Sequence, residues 1–124
     1  MIRLTKQQVI TLHKMLIEQS GGAEGIRNMD LLDSALEAPF ISFDNFTNYP
    51  TLQSKAARLC YGLIKNHPFV DGNKRIGILA MLSFLEANGI RLVCTNAELV
   101  DIGLRLAEGS ADEKDLLDFI IEHS

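Results

Sequence analysis

The chain has 124 residues, 47% of them apolar and 23% charged, with a formal net charge of −4. That length is near the commonest domain size, so one domain over residues 1–124 is expected, and the negative balance argues against a nucleic-acid surface, which needs many basic contacts. No apolar run approaches the ~20 residues that cross a bilayer, and Met1-Ile2-Arg3-Leu4-Thr5 has no signal-peptide pattern, so the expectation is a soluble cytoplasmic protein with no membrane partner.

In chain order, Thr5-Lys6-Gln7-Gln8 has the spacing of a capping box, and Val9, Leu12, His13, Leu16 and Ile17 then share one face of a helix that Gly21-Gly22 ends. His13 lies on that apolar face and reads as a hydrogen-bonded core residue. Asn28 can cap a second helix that buries Leu31, Leu32, Ala35 and Leu36 and reaches about Glu37, before Pro39 breaks it. Arg27, just ahead of the cap, reads as a surface or inter-helix ion pair. Residues 40–50 are rich in aromatics, Asn and turn formers and should form a short hairpin or irregular loop. A third helix is expected from about Leu52 to Asn66, with Ala56, Leu59, Cys60, Leu63 and Ile64 inside.

Pro68 has no amide hydrogen to donate and biases His67 toward an extended backbone, so that helix should stop at Asn66. The next helix restarts near Asn73 and runs through Ile76-Gly77-Ile78-Leu79-Ala80-Met81-Leu82-Ser83-Phe84-Leu85 to Asn88-Gly89. A helix apolar on nearly every side belongs at the centre of a core. Beyond it, Ile90-Arg91-Leu92-Val93 should be an isolated extended stretch. Thr95-Asn96-Ala97-Glu98 and Ser110-Ala111-Asp112-Glu113 read as capping boxes opening helices to about Glu108 and Ile121. Cys60 and Cys94, far apart and in apolar contexts, read as core thiols. The expected fold is all-α, a helical bundle around a buried central helix with a small hairpin or loop element.

One anomaly marks the start of the central helix. The first turn of a helix exposes free N–H groups and a partial positive charge, and so favours carboxylates over cations by ~0.3–1 kcal/mol each. Here Lys74 and Arg75 occupy it, next to the small Gly72. Two cations on a positive helix end lack a negative partner, and a phosphate-bearing ligand would supply it. Asp71 would then suit the Mg²⁺ that accompanies a nucleotide. His67, just upstream, carries the side chain best fitted to take a proton from a hydroxyl near neutral pH. Singly, each residue has an ordinary reading as a helix end, a turn or a solvated face; together they explain less that way.

The stretch His67-Pro68-Phe69-Val70-Asp71-Gly72-Asn73-Lys74-Arg75 resembles the signature H-x-F-x-[DE]-G-N-[GK]-R of the Fic/Doc superfamily, in the lysine variant of its death-on-curing branch of bacterial toxins. The likeness extends to Gly25-Ile26-Arg27-Asn28-Met29-Asp30-Leu31-Leu32-Asp33-Ser34-Ala35-Leu36 and to Tyr49-Pro50 before the third helix. It implies His67 as the group that activates an acceptor hydroxyl, Asp71 as Mg²⁺ ligand, Gly72 and Asn73 in a phosphate cradle, Lys74 and Arg75 on phosphates, and Phe69 as the residue that packs the loop on the core. It also implies that residues 40–50 form a flap for a target peptide.

AMP-transferring members of that superfamily have Gly where Lys74 stands and Arg where this chain has Ile78. The resemblance therefore implies transfer of the γ-phosphate of ATP to a threonine of elongation factor Tu, arresting translation, with a separate antitoxin whose disordered tail folds on the toxin. AMP transfer to a protein hydroxyl is the competing enzyme reading, and a catalytically silent helical binding domain is the reading from another class. Ser20-Gly21-Gly22-Ala23-Glu24-Gly25 matches the Ser-x-x-x-Glu-Gly pattern of the superfamily's internal inhibitory helix, but two adjacent glycines make it a loop.

Overall fold

The computed structural model describes residues 1–124. Six helices dominate it: α1 (Lys6–Ser20), α2 (Met29–Glu37), α3 (Leu52–Asn66), α4 (Asn73–Ala87), α5 (Asn96–Glu108) and α6 (Glu113–His123). A single 3-10 turn, Ala38–Phe40, follows α2, and β1 (Ser42–Phe43) pairs antiparallel with β2 (Phe46–Thr47). The fold is thus all-α with one small hairpin, as the sequence pattern predicts.

Local chemistry sets most of the helix ends. Five of the six helices open on a side-chain cap, from Thr5, Asn28, Thr51, Thr95 and Asp112, each satisfying an otherwise free N–H. The box expected at Ser110–Glu113 lies two residues further on, at Asp112 and Asp115. Ser110 and Ala111 are taken up in closing α5, where both their N–H groups donate to Arg105 O, at 2.9 and 3.1 Å, around Gly109 at φ 84°. The exception among the six is α4, which opens on Gly72 at φ 75° with no side-chain cap.

The core is one cluster of 21 buried residues to which all six helices contribute. α3 and α4 share the largest interface, and Ile76, Ala80, Met81, Phe84 and Leu85 of α4 are fully buried. The opposite side of α4 carries the half-buried Ile78, Leu79 and Leu82 toward α1 and α5. Contact on both sides is why the α4 sequence shows almost no polar face. Removing Phe84 to Ala would cost about 3–5 kcal/mol, so the position of the α4 N-terminus is held firmly.

Two expectations are adjusted. Leu31 is only half-buried, because it lies in the first turn of α2, beside the exposed cap Asn28. Residues 90–95 pair with no strand, in keeping with the isolated stretch expected over 90–93, and form a linker held by Val93 N–H to His123 O at 2.8 Å. Cys94 on that linker is half-buried, so it is not a core thiol, whereas Cys60 is fully enclosed and its thiol is pushed up to about 12 by burial. The hairpin expected within 40–50 is present, with Asp44 and Asn45 both at positive φ, 49° and 63°, the twist that a two-residue turn needs. Its Phe43 and Phe46 face each other across the pair and are exposed.

Candidate active site

The loop His67–Gly72 joins the two most closely packed helices, so its ends are fixed before its own contacts are counted. α3 stops at Asn66 as expected, but His67 is left-handed rather than extended, at φ 52° and ψ 52°. A non-glycine residue there costs roughly 1–2 kcal/mol. The compensation comes from Arg27. Its Nε donates to His67 O at 2.7 Å and its Nη2 to Asn66 O at 2.9 Å, charge-assisted bonds to helix-end carbonyls that otherwise lack partners. The main chain repeats the link: Arg27 N–H and Asn28 N–H donate to Pro68 O at 2.7 and 3.0 Å, and Val70 N–H donates to Gly25 O at 3.0 Å. Arg27 is therefore no ion pair but the clamp on the end of α3. The His67 side chain is left exposed.

Phe69 is the packing residue the sequence suggests, 1% exposed and stacked on His13 with ring centroids 3.8 Å apart. Asn73, 4% exposed, takes Phe69 N–H on its Oδ1 at 2.9 Å and donates Nδ2 to Phe69 O at 3.0 Å. The Asn73 side chain is thus committed to the loop, and what this residue turns outward is its main-chain N–H. His13 is a hydrogen-bonded core residue as read from the sequence. Its Nε2 donates to Asp71 O at 2.7 Å, since a carbonyl can only accept.

The Asp71 carboxylate is fastened on both oxygens, Oδ1 accepting Gly72 N–H at 2.8 Å and Oδ2 accepting Ala23 N–H at 3.1 Å. These two bonds, Ala23's first, with Arg75 and His13 adding to them, hold its carboxyl below the usual value against the opposing effect of burial. The group is a fixed, half-exposed anion with further lone pairs free. No three metal-ligating side chains cluster in the chain, so a divalent ion at Asp71 would need oxygens from elsewhere, as phosphate and water provide for Mg²⁺.

Arg75 reaches back to the end of α1. Its Nη1 donates to Ser20 Oγ at 2.7 Å and Gly21 O at 2.9 Å, and its Nη2 lies 4.0 Å from Asp71 Oδ1. The segment after Ser20 is non-helical, as two adjacent glycines require, and Gly22 lies so close that a Cβ there would stand 2.6 Å from Asp71 Oδ2. Lys74 differs from its neighbour in having no ion pair, whereas Lys6, Arg58, Arg75, Arg105 and Lys114 each face a carboxylate. The N–H groups of Asn73, Lys74 and Arg75 precede the first intrahelical bond of α4, Ile76 N–H to Gly72 O at 2.9 Å. An uncapped helix start, one guanidinium and one carboxylate therefore meet around Gly72, and Lys74, in the same first turn, extends along α5 into the adjoining trough.

From Lys74 and Arg75 an open trough of about 460 Å³ continues between α1, α4 and α5, walled by Leu16, Ile78, Leu82 and Leu99. Ile78 thus contributes apolar surface where a cation would extend the charged site.

The sequence reading did not identify Arg27's partner or the contacts of residues 20–23. One signal was available, since a cation immediately ahead of a helix N-cap is electrostatically out of place and so invites a search for an acceptor elsewhere.

The nine-residue stretch His67–Arg75, the loop and the first turn of a buried central helix on a helical scaffold, marks a known class, and the chain belongs to the Fic/DOC family, whose family model matches residues 3–85. It is 37% identical over 89 residues to Toxin Doc of Mycolicibacterium smegmatis, an alignment covering 72% of this chain and 66% of that protein. The chain therefore spans just under two thirds of that relative's length. None of its helices is long and apolar enough to cross a membrane.

Proposed function

We propose that this chain is a toxin of the death-on-curing type that transfers the γ-phosphate of ATP to a hydroxyl of a target protein. The observation that carries the reading is the uncapped N-terminus of α4, whose first turn holds both Lys74 and Arg75, with Arg75 4.0 Å from the Asp71 carboxylate. Such a start offers three N–H groups and two cations to a polyphosphate. The similarity to a protein named Toxin Doc supports the same reading.

In the proposed reaction the target's hydroxyl oxygen attacks the γ-phosphorus, the bond to the β,γ-bridging oxygen breaks, and ADP leaves. His67 takes the hydroxyl proton. Its exposed side chain on a clamped backbone suits a base that must meet a second protein. Lys74, Arg75 and the N–H groups of Asn73, Lys74 and Arg75 orient the phosphates. Asp71, with phosphate oxygens, would hold Mg²⁺, which supplies charge neutralisation at the transferred group. The exposed Phe43–Phe46 hairpin is the proposed flap, able to pair its edge with a target strand.

The proposed target is a threonine of elongation factor Tu, the proposed setting the bacterial cytoplasm, and the proposed regulator a cognate antitoxin whose disordered tail folds on this chain. Ile78 in the apolar trough counts against AMP transfer, because no cation stands there to hold an outer phosphate.

The deciding experiment supplies α-labelled or γ-labelled ATP with Mg²⁺ to the chain and elongation factor Tu, and to a whole bacterial extract. Transfer of the γ-label alone is expected. Transfer of the α-label would replace this reading with AMP transfer, and no transfer in either sample would favour a binding domain. The double change Lys74→Gly with Ile78→Arg should lose γ-transfer and begin to attach AMP, whereas Lys74→Gly alone should only lose γ-transfer.

A further inference from the structure

Gly103 is buried in the middle of α5, where glycine weakens a helix relative to alanine. The reason lies across the contact with α4. A Cβ on Gly103 would stand 3.2 Å from Lys74 Cγ, 3.4 Å from Lys74 Cδ and 3.7 Å from Ile78 Cγ1. The aliphatic stem of Lys74 therefore lies flat on bare α5 backbone, and both residues line the trough. Its ammonium has no ion pair, so the direction of this side chain is set by what its stem rests on, not by a partner for its charge.

We propose that Gly103 is a positioning residue for Lys74, its missing side chain leaving the shelf along which Lys74 extends and so fixing where the ammonium meets a phosphate. The proposal rests on the reading of Lys74 as a phosphate ligand. It adds a residue from α5, which lies outside residues 3–85 that match the family. A methyl group at 103 pushes the stem by a few tenths of an ångström, and a larger side chain lifts it off the shelf. Charge-assisted bonds to phosphate are short and directional, so displacement of that size is felt in binding.

The predicted effects on stability and on binding have opposite signs, which separates positioning from packing. Gly103→Ala improves helix propensity and should raise the melting temperature by a few degrees, while binding of MgATP, read by calorimetry, should weaken ~3-fold, and ~10-fold for Gly103→Leu. In a Lys74→Ala background the same two changes should alter Kd less than 2-fold. Equal losses in both backgrounds, or no loss with Lys74 present, would overturn the proposal. A second measurement does not depend on nucleotide. In protein whose lysines carry ¹³C-methyl groups, the Lys74 signal, assigned by its loss in Lys74→Arg, should shift in Gly103→Leu, and an unmoved signal would overturn the proposal. If the unaltered chain fails to bind MgATP, the nucleotide reading falls and this signal decides the role of Gly103.

Discussion

Arg27 and His67, 40 positions apart, are joined by a 2.7 Å bond from the guanidinium Nε to the His67 carbonyl. The bond holds a histidine in a backbone conformation that few side chains other than glycine adopt readily, and it leaves the imidazole free. Arg27→Ala removes the donors of two charge-assisted bonds at once. A loss of ~2–4 kcal/mol of stability is expected, together with a fall in kcat that exceeds any rise in KM for ATP. Arg27→Lys should recover only part, because an ammonium cannot span both carbonyls in a fixed fork. Thermal unfolding and steady-state transfer rates check both.

His67→Ala should behave in the opposite way. The side chain is exposed, so the melting temperature should change by no more than a few degrees and MgATP should still bind. Transfer should fall by ~10²–10⁴, the usual contribution of a general base. A loss of folding in step with the loss of rate would make His67 structural.

Asn73 is where a change aimed at the proposed phosphate site would be read mainly as unfolding. Asn73→Ala orphans the buried Phe69 N–H and C=O that the amide now serves, each at about 1–3 kcal/mol. The expected result is a destabilised protein whose loop exchanges amide hydrogens faster. Asn73→Asp keeps the acceptor for Phe69 N–H but cannot donate to Phe69 O, and should be intermediate in denaturant titration.

The α5–α6 contact carries a pH dependence remote from the site. His123 Nδ1 donates to Phe119 O at 2.6 Å and Nε2 pairs with Glu98 Oε2 at 2.9 Å. These partners, Phe119's carbonyl first, raise the His123 imidazolium above its ordinary 6.5. Thr95 N–H, then His123, hold Glu98 below 4.5. A raised histidine contributes stability that is fully present below 6.5 and lost as pH rises through its folded value. A lowered glutamate contributes above 4.5 and loses its share as pH falls through its own folded value. His123→Gln should therefore be less stable than the unaltered chain at pH 6, and the gap should close on the alkaline side. A gap that stays constant from pH 5 to 9 would show that the pair is not charged.

What could be read from the sequence follows from range. Thr5 with Gln8 and Thr95 with Glu98 are contacts over three residues, and the periodicity of α3 and the uniform apolarity of α4 report burial directly, so helices and core were legible. Ser110 competed with Asp112 as a cap within three positions, and only the closing turn at Gly109 decides between them. In the candidate site, the residue types of His67, Asp71, Lys74 and Arg75 suggested the proposed chemistry. Their partners did not show, because Arg27, Ser20, Ala23 and Gly103 reach them across 29 to 55 positions and nothing local marks those pairs. The handedness of His67 belongs to the same set, since a neighbouring proline predicts extension and a distant guanidinium overrides it.

The tethers of the loop also bear on the order of events during synthesis. Ser20 to Arg75, Ala23 to Asp71 and Arg27 to His67 close loops of 55, 48 and 40 positions, and all start from the single stretch 20–27. Contacts of that separation form after local helices, because chain closure precedes any gain from them. On the proposed reading, a nascent chain that has exposed only α1 to α3 has no corner to offer a phosphate until Arg75 has left the ribosome and found Ser20. Pulse-labelled hydrogen exchange during refolding should show α3 protected before the amides of Ala23 and Arg27, so that the proposed site is among the last parts of the molecule to set.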